Sequence, residues 1–235
     1  LNFWIDHFYR ASLLAKVIYV ILFGLSLTAW AIIFRKISLY KKVIRENGKF
    51  LRQYRKSRRN YLALYRHLSQ KGRPSQSPMI SLFMKGCEEI EFLAEDDQEG
   101  KRSSSGSEMR LSILQIESVE KILSMEMDRL LTSLEGGLTF LATTASVSPF
   151  LGLLGTVWGI LQAFKNVGLQ GAASMTSLAP GLAEALVTTV AGLMVAIPAL
   201  IGYNFLGQKS RNLGLEGDIF IIEFITNLER FWGLK

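Results

Sequence analysis

Three uncharged apolar runs, over residues 17–34, 136–164 and 185–208, constrain this chain more than any other feature. Each approaches or exceeds the roughly 18–20 apolar residues that cross a hydrocarbon core about 30 Å thick. Inside a bilayer no water is available to the backbone, so a spanning segment must satisfy its own N–H and C=O groups, and runs of this length do so as helices. A soluble chain of 235 residues could bury one such helix but rarely three. The fold class read from the sequence is an all-α membrane protein, with three transmembrane helices and long helical cytoplasmic extensions.

The first run reads as a span rather than a signal peptide. It lacks a short basic leading region, and Trp30 and Phe34 stand where small cleavage-site residues would be needed. Ahead of it, residues 1–16 set Phe3, Trp4, Phe8 and Leu14 beside Asp6, His7 and Arg10, a mixture that suits an amphipathic segment at the outer interface. The chain opens on Leu1 rather than Met, so residues are expected to precede it.

Lysine and arginine set the orientation. Residues 35–73 hold 14 basic side chains against one acid, Glu46, whereas only Arg10 and Lys16 precede the first span and only Lys165 separates the second from the third. The positive-inside rule then places the N-terminus outside, 35–135 and the tail 209–235 in the cytoplasm, and 165–177 outside as a short loop. The basic stretch begins at a membrane exit, so its expected partner is the anionic lipid surface and not nucleic acid.

Between the first and second spans, Tyr40, Val43, Ile44, Leu51 and Tyr54 continue the first helix at spacings near three to four. Gly72, Pro74 and Pro78 break the pattern, and an amphipathic helix fits 79–93. Residues 94–107 turn acidic, then basic, then Ser- and Gly-rich, and read as a mobile loop. From Glu108 apolar residues return at Leu111, Leu114, Val119, Ile122, Leu123, Met127, Leu130 and Leu134, a pattern that runs on into the second span, 136–164. The expectation is one long helix entering the membrane from the cytoplasm. In the tail, Ile219, Ile222, Phe224, Ile225 and Leu228 form an expected packing stripe.

No glycine-rich phosphate loop, no HExxH and no cysteine pair is present. Cys87 is alone, which excludes an intrachain disulfide, and the topology puts His7 and His67 on opposite sides of the membrane. The reading is of a non-enzymatic chain with no cofactor and no metal; energy for any work would come from elsewhere than nucleotide hydrolysis here.

The polar chemistry available lies in the second and third spans. Pro149, Gly152, Gly155, Thr156, Gly159 and Ala163 fall on or beside one helical face, with Gly155 and Gly159 forming a GxxxG. Such a face lets helix backbones approach closely in lipid, and packing alone could explain it. The Thr156 hydroxyl could also hold water or an ion-hydrating network. The third span, 178–208, begins with Pro180 and Gly181 and carries Glu184, the one charged side chain within the apolar stretches of these two spans. An intramembrane carboxylate ordinarily faces a bundle interior or an aqueous route. It could instead serve an interfacial helix start, where acids are favoured. Thr188 shares its face; Thr189 stands on a neighbouring small-residue face with Ala185, Gly192, Ala196 and Ala199.

The run Ser148-Pro-Phe-Leu-Gly-Leu-Leu-Gly-Thr-Val-Trp-Gly-Ile-Leu-Gln-Ala-Phe164, with Leu178-Ala-Pro-Gly-Leu-Ala-Glu-Ala-Leu186 and Ala196-Ile-Pro-Ala-Leu-Ile-Gly-Tyr-Asn204, resembles the TolQ/ExbB/MotA family. The resemblance covers all three spans and is weak over about 48–107; the first span and the short outer segment look more like the TolQ branch than the ExbB branch. It implies a pentamer in the bacterial inner membrane, surrounding the single-span helices of a TolR-like partner dimer and acting with a TolA-like protein to keep the envelope intact during division. The partner's aspartate would carry the proton. Thr156 and Thr189 match the family threonines that would face it, and Glu184 would tune the outer part of the route. Thr188 departs from the alanine frequent at its place. Two adjacent hydroxyls there leave both proton and sodium open, and Lys165 could affect ion entry. An ExbB-like role in TonB-type uptake and a non-conducting membrane scaffold are the competing readings.

Overall fold

A computed structural model describes residues 12–56, 61–70, 77–100, 113–170 and 175–232. Every regular element among them is an α-helix: α1 (Leu13–Lys56), α2 (Tyr61–Gln70), α3 (Pro78–Gly100), α4 (Ile113–Glu135), α5 (Leu138–Gln170) and α6 (Met175–Trp232). Three of these, α1, α5 and α6, are long and apolar enough to cross a membrane. The chain divides into two compact units, one of residues 1–36 and 137–207, the other of residues 37–136 and 208–235.

In the first unit, α1 buries Ala15, Ile18, Leu22, Ala29 and Ile33, an inward stripe at spacings of three, four and seven. The outward faces stay apolar, with Val20, Phe23, Phe34, Phe150, Leu161, Leu186 and Met194 all exposed. Water would penalise such a surface and a bilayer does not. Pro149, Pro180 and Pro198 lie inside helices, where each removes one backbone donor.

The second unit is built like a soluble helical domain. Its core gathers Phe50 and Tyr54 of α1, Leu64 of α2, Met79, Leu82, Phe83, Cys87 and Ile90 of α3, Ile116, Val119, Leu123 and Met127 of α4, and Phe220, Ile221, Phe224, Ile225 and Leu228 of α6. Phe50, Tyr54, Phe83, Phe220 and Phe224 meet largely edge to face, with centroids such as Tyr54–Phe220 at 5.2 Å. Burial of each such ring contributes about 1.5–3 kcal/mol. Gly86 admits the Phe224 ring, whose Cε1 would lie 2.7 Å from a Cβ placed there. Polar ties close the unit: Tyr40 donates to the Leu134 carbonyl at 3.4 Å, Ser210 to Glu135 at 2.8 Å, and Asn227 to the Tyr54 hydroxyl at 3.1 Å.

Four local expectations differ from the structure. The long helix expected from Glu108 into the second span is interrupted at Gly136–Gly137, where Gly137 takes a φ of 90°. Only glycine adopts that left-handed conformation without cost, and a glycine pair at a helix end is the usual stop signal. Helix α3 extends to Gly100, so 94–100 is helical where a loop was expected; 101–107, like the outer segment 1–11, lies outside the described residues. Helix α5 passes Lys165 and runs to Gln170, shortening the expected outer loop. In the tail, Phe224, Ile225 and Leu228 are buried as expected, but Ile219 and Ile222 are exposed and Phe220 and Ile221 take their place in the stripe.

Candidate functional site

The site forms where α5 and α6 cross as an antiparallel pair within the first unit. Glycines decide how closely the helices approach. A Cβ on Gly192 would stand 2.5 Å from the Ser148 carbonyl oxygen, one on Gly152 3.0 Å from the Thr188 carbonyl oxygen, and one on Gly159 2.8 Å from the Ala185 Cβ. Gly155 receives the Thr188 side chain at 2.7 Å, and Gly181 receives Ala163 at 2.9 Å. Five glycines from two helices thus interlock with small partners along the whole crossing, the geometry that stabilises helix pairs in lipid. The packing residues expected from the sequence come together here: Gly152, Gly155 and Gly159 from α5, with Gly181 and Gly192 from α6. Of the two prolines expected to share in this packing, Pro149 is half-buried and Pro180 exposed.

Close approach brings hydroxyls and backbone carbonyls of opposite helices into bonding range. The Thr156 hydroxyl donates across the crossing to the Ala185 carbonyl at 3.0 Å and reaches its own Gly152 carbonyl at 3.2 Å. Thr189 reaches the Gly152 carbonyl at 3.3 Å, and the Thr156 and Thr189 hydroxyls are themselves hydrogen-bonded. Two protons therefore have the carbonyls of Gly152 and Ala185 and each other's oxygens to choose from. Both protons can be used within the pair, leaving outward lone pairs on partly buried oxygens. Thr188 differs: it is fully buried, donates to the Ala185 carbonyl at 2.6 Å and fills the notch at Gly155. Its adjacency in sequence to Thr189 does not make a shared site.

Glu184, the residue before Ala185, is bonded to the start of α1. Its carboxylate accepts a hydrogen bond from the Ser12 backbone N–H at 2.8 Å, and the Ser12 hydroxyl accepts from the Ala15 N–H at 3.3 Å. The acid thus joins the capping of α1, where four N–H groups lack intrahelical partners and the helix dipole favours negative charge. Tyr19 of α1 lies within electrostatic reach of the same carboxylate. The helix-start reading of Glu184 was available from the sequence; that the helix served would be α1 was not, because the two are 172 residues apart.

Sequence reading also passed over Thr144 and Ser148, which are buried on α5 with hydroxyls that find no partner. The run of fours from Thr144 to Ser148 to Gly152 is the signal that would have found them. No cluster of three metal-ligating side chains occurs among the described residues.

Fold and site together define a multi-pass helical membrane protein with a hydroxyl pair bonded across two of its spanning helices. Residues 82–217 match the MotA/TolQ/ExbB proton channel family, and the chain belongs to that family. It is 34% identical over 230 residues to the Tol-Pal system protein TolQ of Haemophilus influenzae, covering 98% of this chain and 95% of the relative. It is 31% identical to the Tol-Pal system protein TolQ of Pseudomonas aeruginosa, covering 94% and 90%. Similarity to the biopolymer transport protein ExbB of Xanthomonas campestris is 36% but spans 62% of this chain and 56% of the relative.

Proposed function

We propose that this chain is a TolQ-like subunit of a proton-motive-force-driven motor in the bacterial inner membrane. Copies of it, as a pentamer, would surround the single-span helices of a TolR-like partner dimer and, with a TolA-like protein, work on the cell envelope. In this reading the N-terminus faces the periplasm and residues 35–135 and 209–235 the cytoplasm, in keeping with the 14 basic residues of 35–73. Near-full-length similarity to two TolQ proteins at 34% and 31% identity favours this over the ExbB-like role, since an ExbB relative that covers 85% of the chain is 29% identical.

The observation that carries the proposal is the Thr156–Thr189 pair. Its donors are used internally, so what it offers a visiting group is acceptor lone pairs. That suits a protonated carboxylic acid, which has an O–H to give, better than a carboxylate. Around it Leu153, Val157 and Val190 expose apolar surface, against which an ionised acid is costly and a neutral one is not. Proton binding to the partner's acid would let it cross the apolar wall and dock on the pair; proton release would remove the O–H it donates and drive it off. Glu184, by fixing the start of α1, would position the outer part of the route.

Complementation with Thr156→Ala, Thr189→Ala and Glu184→Ala, with assembly followed by co-purification of the partner, tests this. Assembled complexes that leave cells leaking periplasmic contents support it. Full rescue by all three would leave the scaffold reading in its place.

A further inference from the structure

We propose that Thr144 and Ser148 hold a bridging water inside the membrane-spanning unit, a second polar station on α5 beyond the Thr156–Thr189 pair. Serine and threonine in a helix ordinarily return their hydroxyls to a carbonyl three or four residues back. Exposed hydroxyls of this very helix do so: Thr143 donates to the Thr139 carbonyl and Ser146 to the Ala142 carbonyl, both at 2.9 Å. Thr144 and Ser148 do not, although they are 1% and 0% exposed and have most to lose by remaining unpaired. The helix folds back the hydroxyls that face outward and leaves the two inward ones available.

Their separation fits one water. Four residues of helix rise about 6 Å, too far for a direct bond and close to the span of two hydrogen bonds through a shared oxygen. A third group completes the site. Pro149 has no N–H, so the Ala145 carbonyl lacks its intrahelical donor at the same level of the helix. Two hydroxyls and one carbonyl give the two to four partners that a buried water takes. The opposite helix leaves the level small: Gly192 packs on the Ser148 backbone, and the antiparallel register carries buried Ala196 to the level of Thr144. Thr144, Ser148 and Thr156 then mark about 18 Å of one helix with hydroxyls. The water's relay role rests on the ion-route reading above; its presence does not.

Water-edited solid-state NMR on labelled protein in lipid bilayers tests the presence directly. Thr144 and Ser148 side chains are expected to take up water magnetisation several times faster than Leu141 and Leu206, which are equally buried. Uptake no faster than at those two residues overturns the proposal. Thr144→Val gives a separate readout, since it keeps the shape and removes the hydroxyl. A hydrated site predicts a lower Tm for this variant, whereas a higher Tm means a dry, unpaired hydroxyl and overturns the proposal. For the relay, Thr144→Val with Ser148→Ala is expected to slow ion flux through the assembled complex severalfold. Unchanged flux overturns the relay while leaving the Thr156–Thr189 reading intact; unchanged flux in Thr156→Val and Thr189→Val overturns that reading and leaves the water standing.

Discussion

One methyl group is enough to test the contact between α5 and α6. At Gly192 a Cβ meets the Ser148 carbonyl at 2.5 Å, and backbone on both sides leaves no flexible atom to yield. Gly192→Ala should cost about 1–3 kcal/mol, the range of an overpacked core. Gly24 and Gly48 serve as controls, because a Cβ at either meets nothing within 4 Å. Alanine at those helical positions should be neutral or stabilise by up to about 1 kcal/mol. Thermal unfolding in lipid nanodiscs reads both, and equal behaviour at the three sites would contradict the interlock. Glu184 makes a different residue-scale prediction. Glu184→Gln keeps an acceptor for the Ser12 N–H, whereas Glu184→Ala removes it, so hydrogen exchange over Ser12–Ala15 should quicken in the alanine variant and much less in the glutamine variant.

At the scale of elements, hydropathy made the three spanning helices legible, because lipid demands length and apolarity and little else. The threonine pair was half legible. Spacing placed Thr156 and Thr189 on small faces, but the register that pairs them depends on glycine notches formed across two helices. The tail stripe was legible at Phe224, Ile225 and Leu228 but not at its start, since Ile219 and Ile222 are as apolar as Phe220 and Ile221 and only the aromatic core selects between them. The helix break at Gly136–Gly137 was written in the sequence but outweighed there by continuous apolar periodicity. Gly137→Ala should destabilise by roughly 1–2 kcal/mol through its φ of 90°, and Gly136→Ala by less. Comparable losses of Tm at the two would argue against the strained turn.

At the scale of the whole molecule, two solvents are matched by two kinds of surface. The first unit exposes apolar side chains and pairs helices through glycine; the second buries aromatic rings and carries its charges outside. Cys87 reports on the second unit's integrity. Burial, and secondarily Glu91, push its thiol from an ordinary 9.0 up to about 12. The folded state thus holds this proton more tightly than the unfolded chain. Its contribution to stability is complete below about pH 9 and is lost as pH rises towards 12. Maleimide labelling of the native protein at pH 8 should therefore be slow and should accelerate to the rate of a free thiol on unfolding. Rapid labelling before unfolding would mean that the helical core opens around α3.

If the Thr156–Thr189 pair serves ion passage rather than packing alone, the difference shows in ion flux through the chain reconstituted with its partner in proteoliposomes. Thr156→Val and Thr189→Val preserve side-chain shape, while the corresponding serine variants preserve the hydroxyl. Each valine variant should assemble normally and lose flux about tenfold or more, equivalent to roughly 1.4 kcal/mol on the barrier, with serine retaining most of it. Normal flux in both valine variants, with assembly intact, would contradict a role in ion passage.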